Sequence, residues 1–316
     1  MRMLKLIPNT TAINFTGKHL LAFAISAFLI LTSIGIFTSK GLNLGIDFLG
    51  GILIEIETTG PADISALRSE LGSLNLGDIS LQEFGENNTV LIRIQKQDGA
   101  DQSQQEAINL IKTTLGDKVQ EYRRTEFVGP TVGVELQEAA IWAVFSAVTA
   151  ILIYIWFRFE WQFGVGAVIA LTHDVITTIG LFSLLQLDFN LATVAAILTI
   201  AGYSINDTVV IYDRVRENMR KYKKMEFTEL FNLSINQTLS RTVITSVTTL
   251  LALFALYFLG GEVIRNFAIA LIWGVVIGTY SSIALAVPFL LYMKPNRGDD
   301  DDKLMPDFNT DFSETK

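Results

Sequence analysis

Residues 191–212 read LATVAAILTIAGYSINDTVVIY, a run with a single charged side chain, Asp207. An α-helix rises about 1.5 Å per residue, so this stretch is long enough to cross the roughly 30 Å hydrocarbon core of a bilayer. Five more windows have the same character: His19–Phe37, Ala139–Phe157, Phe163–Leu185, Val243–Leu259 and Ile264–Tyr292. The expected fold class is therefore a polytopic α-helical membrane protein with six transmembrane helices. Composition agrees: of 316 residues 50% are hydrophobic and 18% charged, whereas soluble domains carry about a quarter charged residues. The net charge of -8 gives no support for nucleic-acid binding. Cysteine is absent and only His19 and His173 are present. Thiol catalysis, disulfides and cysteine metal sites are thereby excluded, and no metal centre is expected.

Lysine and arginine in the short connections set the orientation. The amino terminus is basic, Arg158 follows the second span, and Arg214, Arg216, Arg220, Lys221, Lys223 and Lys224 follow the fourth. The alternate turns, 186–190 and 260–263, hold neither residue type. Both termini are expected in the cytoplasm: residues 1–18 precede span 19–37, which reads as an uncleaved anchor because no small-x-small cleavage pattern ends it. A cytoplasmic loop is expected over 213–242, and a disordered acidic tail over 293–316.

The one long polar segment, 38–138, falls on the periplasmic side. Alternating apolar residues predict strands at 52–57, 78–84, 89–95 and 119–128, with helices at 62–73 and 101–115 between them. The order β-α-β-β-α-β is that of a small ferredoxin-like α+β domain. It carries no catalytic triad, phosphate loop or metal spacing, so a binding or mechanical role is expected. The membrane part follows as a five-helix bundle, 139–157, 163–185, 191–212, 243–259 and 264–292. No internal repeat relates the six spans. Since many transporters pack two related halves around a midplane site, a second half from another chain is expected.

Charged groups inside a span cost a few kcal/mol each on insertion scales and usually persist for function. Asp207 lies about 8 Å inside the cytoplasmic end of its span, and Thr199, Tyr203, Asn206, Val210 and Asp213 share a face with it or beside it. Two readings stand: a carboxyl in a water-poor seam that exchanges a proton, or a neutral acid that only ties helices together. Arg241 opens the fifth span ahead of Thr242, Thr245, Ser246, Thr248 and Thr249; it either snorkels to the interface or pairs with Asp207. His173 and Asp174, near the middle of the third span, are relay or structural groups. Gly274 and Gly278 form a GxxxG, a common and weakly specific helix-packing motif.

Five strings together resemble the SecD/SecF family of bacterial protein-export membrane proteins: GIDFLGG at 45–51, ALTHDV at 170–175, AGYSINDTVVIYDRVREN at 201–218, SINQTLSRTVITS at 234–246 and GTYSS at 278–282. They occur in order over nearly the whole chain; only the acidic tail falls outside. The resemblance implies a resistance-nodulation-division type of protein in the bacterial inner membrane. It implies pairing with SecD in a twelve-helix unit that assists the SecYEG channel and the SecA motor, with YajC and YidC as further partners. The proton motive force would then promote late steps of export of an unfolded polypeptide, with the proton as coupling ion and no other cofactor. It also implies proton-coupling roles for Asp207 and Arg241, and places His173 and Asp174 on a recurrent pair. Asp47 lies outside the first span and reads as a structural turn.

Alternatives are a proton-driven small-solute exporter of the same superfamily and a passive translocase scaffold. An enzyme is not expected, because no serine or cysteine stands beside a positioned base.

Overall fold

In the computed structural model, residues 11–97, 101–260 and 262–296 are described. Six helices long and apolar enough to span a bilayer are present among them, and an α+β domain interrupts the series after the first. Helix α1 (His19–Lys40) leads into a short linker with β1 (Asn43–Leu44) and α2 (Ile46–Leu49). The domain follows as β2 (Gly51–Thr58), α3 (Ile64–Gly72), β3 (Ile79–Phe84), β4 (Glu86–Ile94), α4 (Asp101–Leu115) and β5 (Val119–Val128).

The four strands form one antiparallel sheet in the order β3-β4-β2-β5, the ferredoxin-like arrangement. Period-two alternation in β2 sends Ile52, Ile54 and Ile56 to the face covered by α3 and α4, where Leu67, Leu71, Ile108, Ile111 and Leu115 close the core. On the opposite face Leu53 packs with Leu91 and Ile46 of α2. Helix α3 starts two residues later than its sequence pattern predicts, because Asp63 caps it. The Asp63 carboxylate accepts hydrogen bonds from the backbone N–H of Ser65 and Ala66, both at 3.0 Å. At Gly51 φ is +118°, and a Cβ there would collide with the Ile94 carbonyl, so the linker enters the sheet at a position open only to glycine.

The bundle comprises α5 (Pro130–Arg158), α6 (Trp161–Leu185), a two-residue strand β6 (Asp188–Phe189), α7 (Leu191–Lys221), α8 (Phe227–Leu259) and α9 (Glu262–Ser281). A π-helical turn, Ser282–Ala286, joins α9 to α10 (Val287–Met293). Pro288 sits at the start of α10; its ring has no N–H to return to the preceding turn, and the wide turn accommodates that loss.

The loop expected over 213–242 is a correction. Helix α7 continues to Lys221 and α8 begins at Phe227, leaving only 222–226 as a turn. Both extensions are amphipathic, and Val215, Met219, Leu230, Phe231 and Ile235 are fully or almost fully buried against one another and the bundle. Asn218 Nδ2 donates to Ser234 Oγ and Gln237 Oε1 across the hairpin, each at 2.9 Å. Hydropathy marks only the stretch matched to lipid, so a helix that leaves the bilayer with polar residues on one face passes for a loop. Helix α5 likewise begins nine residues before its apolar window, directly after β5. The basic residues of 1–10 and the acidic tail from 297 lie outside the described residues.

Half or more of the most apolar stretch of α6, α7 and α9 is buried, against about a tenth or less for α1, α5 and α8. The first three are thus the inner layer. Their close approach depends on Gly274 of α9, where a Cβ would overlap the Ile200 side chain of α7. Gly274→Val is expected to cost about 1–3 kcal/mol through overpacking, read as a lower thermal midpoint of the purified protein in detergent. Gly35→Ala, where an added Cβ meets nothing within 4 Å, should melt like the wild type.

Candidate functional site

Asp174, midway along α6, is fully buried, as is His173 beside it. One carboxylate oxygen, Oδ1, lies 2.9 Å from His173 Nδ1. The other, Oδ2, accepts hydrogen bonds from Ser204 Oγ of α7 at 2.6 Å and Ser281 Oγ of α9 at 2.7 Å. A single side chain therefore ties all three inner helices. The backbone carbonyl of Asp174 accepts from Thr177 and Thr178 hydroxyls at 3.1 and 2.7 Å, which fixes the turn that carries it. His173 Nε2 is buried without a hydrogen-bond partner in the protein. It faces a groove shared with Phe23, Ser26, Phe289 and Tyr292, and the ring stands 6.0 Å from that of Tyr280.

Asp207 sits one helical turn beyond Ser204. Its side chain is almost wholly buried and Oδ2 has no hydrogen-bond partner in the protein. A chain of hydroxyls runs past it: Thr208 Oγ1 and Ser282 Oγ are 2.8 Å apart, and Ser282 Oγ donates to the Ser204 carbonyl at 3.2 Å. Ser204 thus joins Asp174 through its hydroxyl and Ser282 through its carbonyl, and among the described residues no hydrogen bond links the two aspartates.

Arg241 is exposed on α8, and among the described residues no ion pair joins it to Asp207. The hydroxyl stripe that begins at Arg241 divides. Thr242 and Ser246 turn inward, with Ser246 Oγ 2.7 Å from Thr279 Oγ1 of α9, while Arg241 and Thr248 face out. Thr242 Oγ1 is buried without a partner in the protein. Between 192 and 206 the outward residues of α7 are Ala192, Ala195, Thr199, Gly202 and Asn206, at alternating steps of three and four. Small and polar side chains on the open face of a span are the usual material of a helix–helix contact.

The linker between α1 and the sheet binds the outer end of α6 and α7. Strand β1 pairs in parallel with β6, and Gly45 N donates to the Phe189 carbonyl at 2.8 Å. Arg93 of β4 forms an ion pair with Asp188 and donates to Asn43 Oδ1 at 2.9 Å. Asp47 Oδ2 accepts from the backbone N–H of Leu191, the first residue of α7, at 2.9 Å. Asp47 is therefore a structural group, but it caps a distant helix rather than its own turn.

The sequence reading singled out Asp174, His173, Asp207 and Arg241 without assigning Ser204, Ser281 or Ser282. Their signal lies in the sequence: Ser204 precedes Asp207 by about one turn, and the Ser-Ser pair closes the GTYSS string at 278–282.

These features define a class: a six-span membrane protein with a ferredoxin-like insertion, carrying buried carboxylates on its inner helices. Residues 108–296 match the family described as protein export membrane protein SecD/SecF, C-terminal, and residues 35–62 match the SecD/SecF GG motif. The protein translocase subunit SecF of Rickettsia akari is 47% identical over 293 residues, covering 91% of this chain and 94% of that protein. The namesake subunit of Cereibacter sphaeroides is 46% identical over 303 residues, at 93% and 94% coverage. Crystal structures of SecDF, a translocon-associated membrane protein, are also similar. The Thermus thermophilus structure matches with a TM-score of 0.84 at 36% identity over 92% of this chain, and SecDF in a super-membrane-facing form with 0.66 at 36% identity over 95%. The chain spans 40% of the first of these SecDF chains. It belongs to the SecD/SecF family.

Removing the Asp174 carboxyl strands two serine hydroxyls and an imidazole. Asp174→Ala is expected to destabilise the bundle by about 3 kcal/mol or more, at 1–3 kcal/mol per stranded group. Asp174→Asn keeps an acceptor for both serines and should cost less than half as much. Thermal unfolding of both variants in detergent checks the order.

Proposed function

We propose that this chain is an accessory subunit of the Sec protein translocase that, paired with SecD, uses the proton motive force to promote late steps of export across the inner membrane. The observation that carries the coupling step is Asp207: a carboxyl inside a span, almost wholly buried, with one oxygen lacking a protein partner. A carboxylate so placed is costly, and gaining a proton removes the cost. Gain and loss of that proton thus favour different packings of α7 against its neighbours. His173, Asp174 and the Ser204–Ser282 hydroxyls are the relay and the lock beside it, and Arg241 is the cation drawn toward Asp207 when it is ionised.

One charge moved through 100 mV is worth about 2.3 kcal/mol, enough to bias a two-state equilibrium more than tenfold. A full switch needs more than one proton or an added pH gradient. The basic residues at the Arg158 and Arg214–Lys224 end favour a cytoplasmic location for both termini and a periplasmic one for the α+β domain. SecD is the partner that the open stripe of α7 calls for, since the SecDF structures hold this chain's counterpart within a chain more than twice as long. SecYEG, SecA, YajC and YidC complete the proposed assembly, with the exported polypeptide meeting the periplasmic domain. A passive scaffold would leave proton flux unaffected by position 207.

Inverted membrane vesicles carrying Asp207→Asn should insert the protein and retain SecD yet lose the part of export that depends on the proton gradient. Export that still responds fully to the gradient in that variant would refute the assignment.

A further inference from the structure

At the basic end of the bundle the α5–α6 turn and the last turns of α7 enclose an open groove of about 580 Å³, lined by Arg158, Asp213, Arg216, Glu217, Arg220 and Lys221. Four cations face two carboxylates, and both carboxylates are already engaged. Arg158 Nη2 donates to Asp213 Oδ1 at 2.6 Å, and Glu217 Oε2 accepts from Arg214 Nη1 at 2.6 Å. Among the described residues Arg216, Arg220 and Lys221 hold no ion pair within the protein. Two guanidinium groups are held in place by other means: those of Arg158 and Arg216 lie 4.9 and 5.8 Å from the Phe159 ring centroid, and Arg216 Nη1 donates to the Arg158 carbonyl at 3.2 Å. Orienting lysine and arginine across a membrane requires only that they lie on one side; it does not require two separate helix ends to converge on one groove.

The position selects the ligand. The apolar run of α7 ends near Tyr212, so Asp213–Arg216 fall in the headgroup layer, roughly 5–7 Å thick beyond the hydrocarbon, and the long side chains of Arg220 and Lys221, about one turn further out, lean toward the helix amino end and so back toward that layer. Beside the groove, at the end of α5 and the start of α6, Trp156, Phe157 and Trp161 are 76%, 86% and 58% exposed, an aromatic surface suited to lie along acyl chains. A soluble anion or an acidic peptide has no use for that surface. We infer that the groove binds the phosphate of an anionic phospholipid, with Arg216, Arg220 and Lys221 contacting the headgroup and the aromatic flank of α5 carrying the chains. Guanidinium forks match phosphate oxygens in pairs, and basic pockets between spans at this membrane face are suited to such headgroups.

The test uses the full chain purified in nonionic detergent, with phosphatidylglycerol, phosphatidylcholine and inorganic phosphate as separate probes and native mass spectrometry as the readout. The wild type should retain phosphatidylglycerol in preference to phosphatidylcholine and should not release it to millimolar phosphate. Replacing the three cations together (Arg216→Gln, Arg220→Gln, Lys221→Gln) should weaken that retention about a hundredfold. Lys224→Gln, outside the groove, should leave it unchanged. Glu217→Gln removes a groove carboxylate and should strengthen retention, a change of sign that misfolding does not produce. If the triple variant does not fold, Arg220→Gln and Glu217→Gln carry the test. Equal retention of both lipids, a preference that survives the cation substitutions, no response to Glu217→Gln, or release by phosphate would each overturn the assignment.

Discussion

Polar groups that a helix carries into a bilayer have no water to turn to, so each has to be answered by a neighbouring helix or left at a cost of several kcal/mol. In this protein the answer is concentrated on one side chain. Asp174 accepts from α7 and α9 while sitting on α6 and holding His173. The inner layer is therefore defined by a hydrogen-bond centre as much as by apolar packing, and α9 lies close on α7 at Gly274 and Gly278, where an added Cβ would meet Ile200 and Ser204. Asp207 shares the same seam without the same satisfaction. The inner helices thus hold one carboxyl, Asp174, with both oxygens hydrogen-bonded and another, Asp207, with a buried oxygen that has no partner in the protein.

The outer layer obeys a different rule. Helices α1, α5 and α8 bury little of themselves, and α5 turns Ile141, Trp142, Phe145 and Phe157 outward, side chains at ease in lipid. The outward stripe of α7 is unlike these: alanine, glycine, threonine and asparagine offer hydrocarbon little to favour and a second helix much to pack against. The two kinds of surface divide the perimeter into a face for lipid and a face for protein, and the basic groove draws on both, Arg158 from the end of α5 and Asp213, Glu217 and Arg220 from the continuation of the α7 stripe.

The spans and the βαββαβ order were legible because each rests on a periodicity that a sequence carries openly: about twenty apolar residues for a span, alternation for a half-buried strand. Windows cut at the hydrocarbon boundary missed the α7–α8 hairpin, whose Val215 and Met219 sit among charges and whose Phe231 and Ile235 sit among asparagine, serine and glutamine, so that it looks like a loop to hydropathy. At the site, Asp174, His173 and Asp207 announced themselves as charges where charges are expensive. The serines did not, since a hydroxyl inside a span can satisfy its own preceding carbonyl and needs no explanation. The direct contact between adjacent His173 and Asp174 was equally hidden: their Cβ bonds diverge by about 100°, and only the rotamers bring the ring to the carboxylate. Pairing in β1 and β6, two residues each, lies below what alternation can reveal.

Asp207 stands sixteen positions from the Leu191 end of an unbroken helix, about 24 Å along its axis. A rigid rod pivoted near that carboxyl behaves as a crank: a tilt of roughly 5° sweeps the Leu191 end through about 2 Å. That end is gripped by Asp47, and its approach strand by Asn43 and Arg93, so a sweep of this size has no slack loop in which to disappear. The GIDFLGG segment is then less a hinge than a connecting rod, and the pose of the α+β domain becomes a gauge of how α7 lies in the membrane.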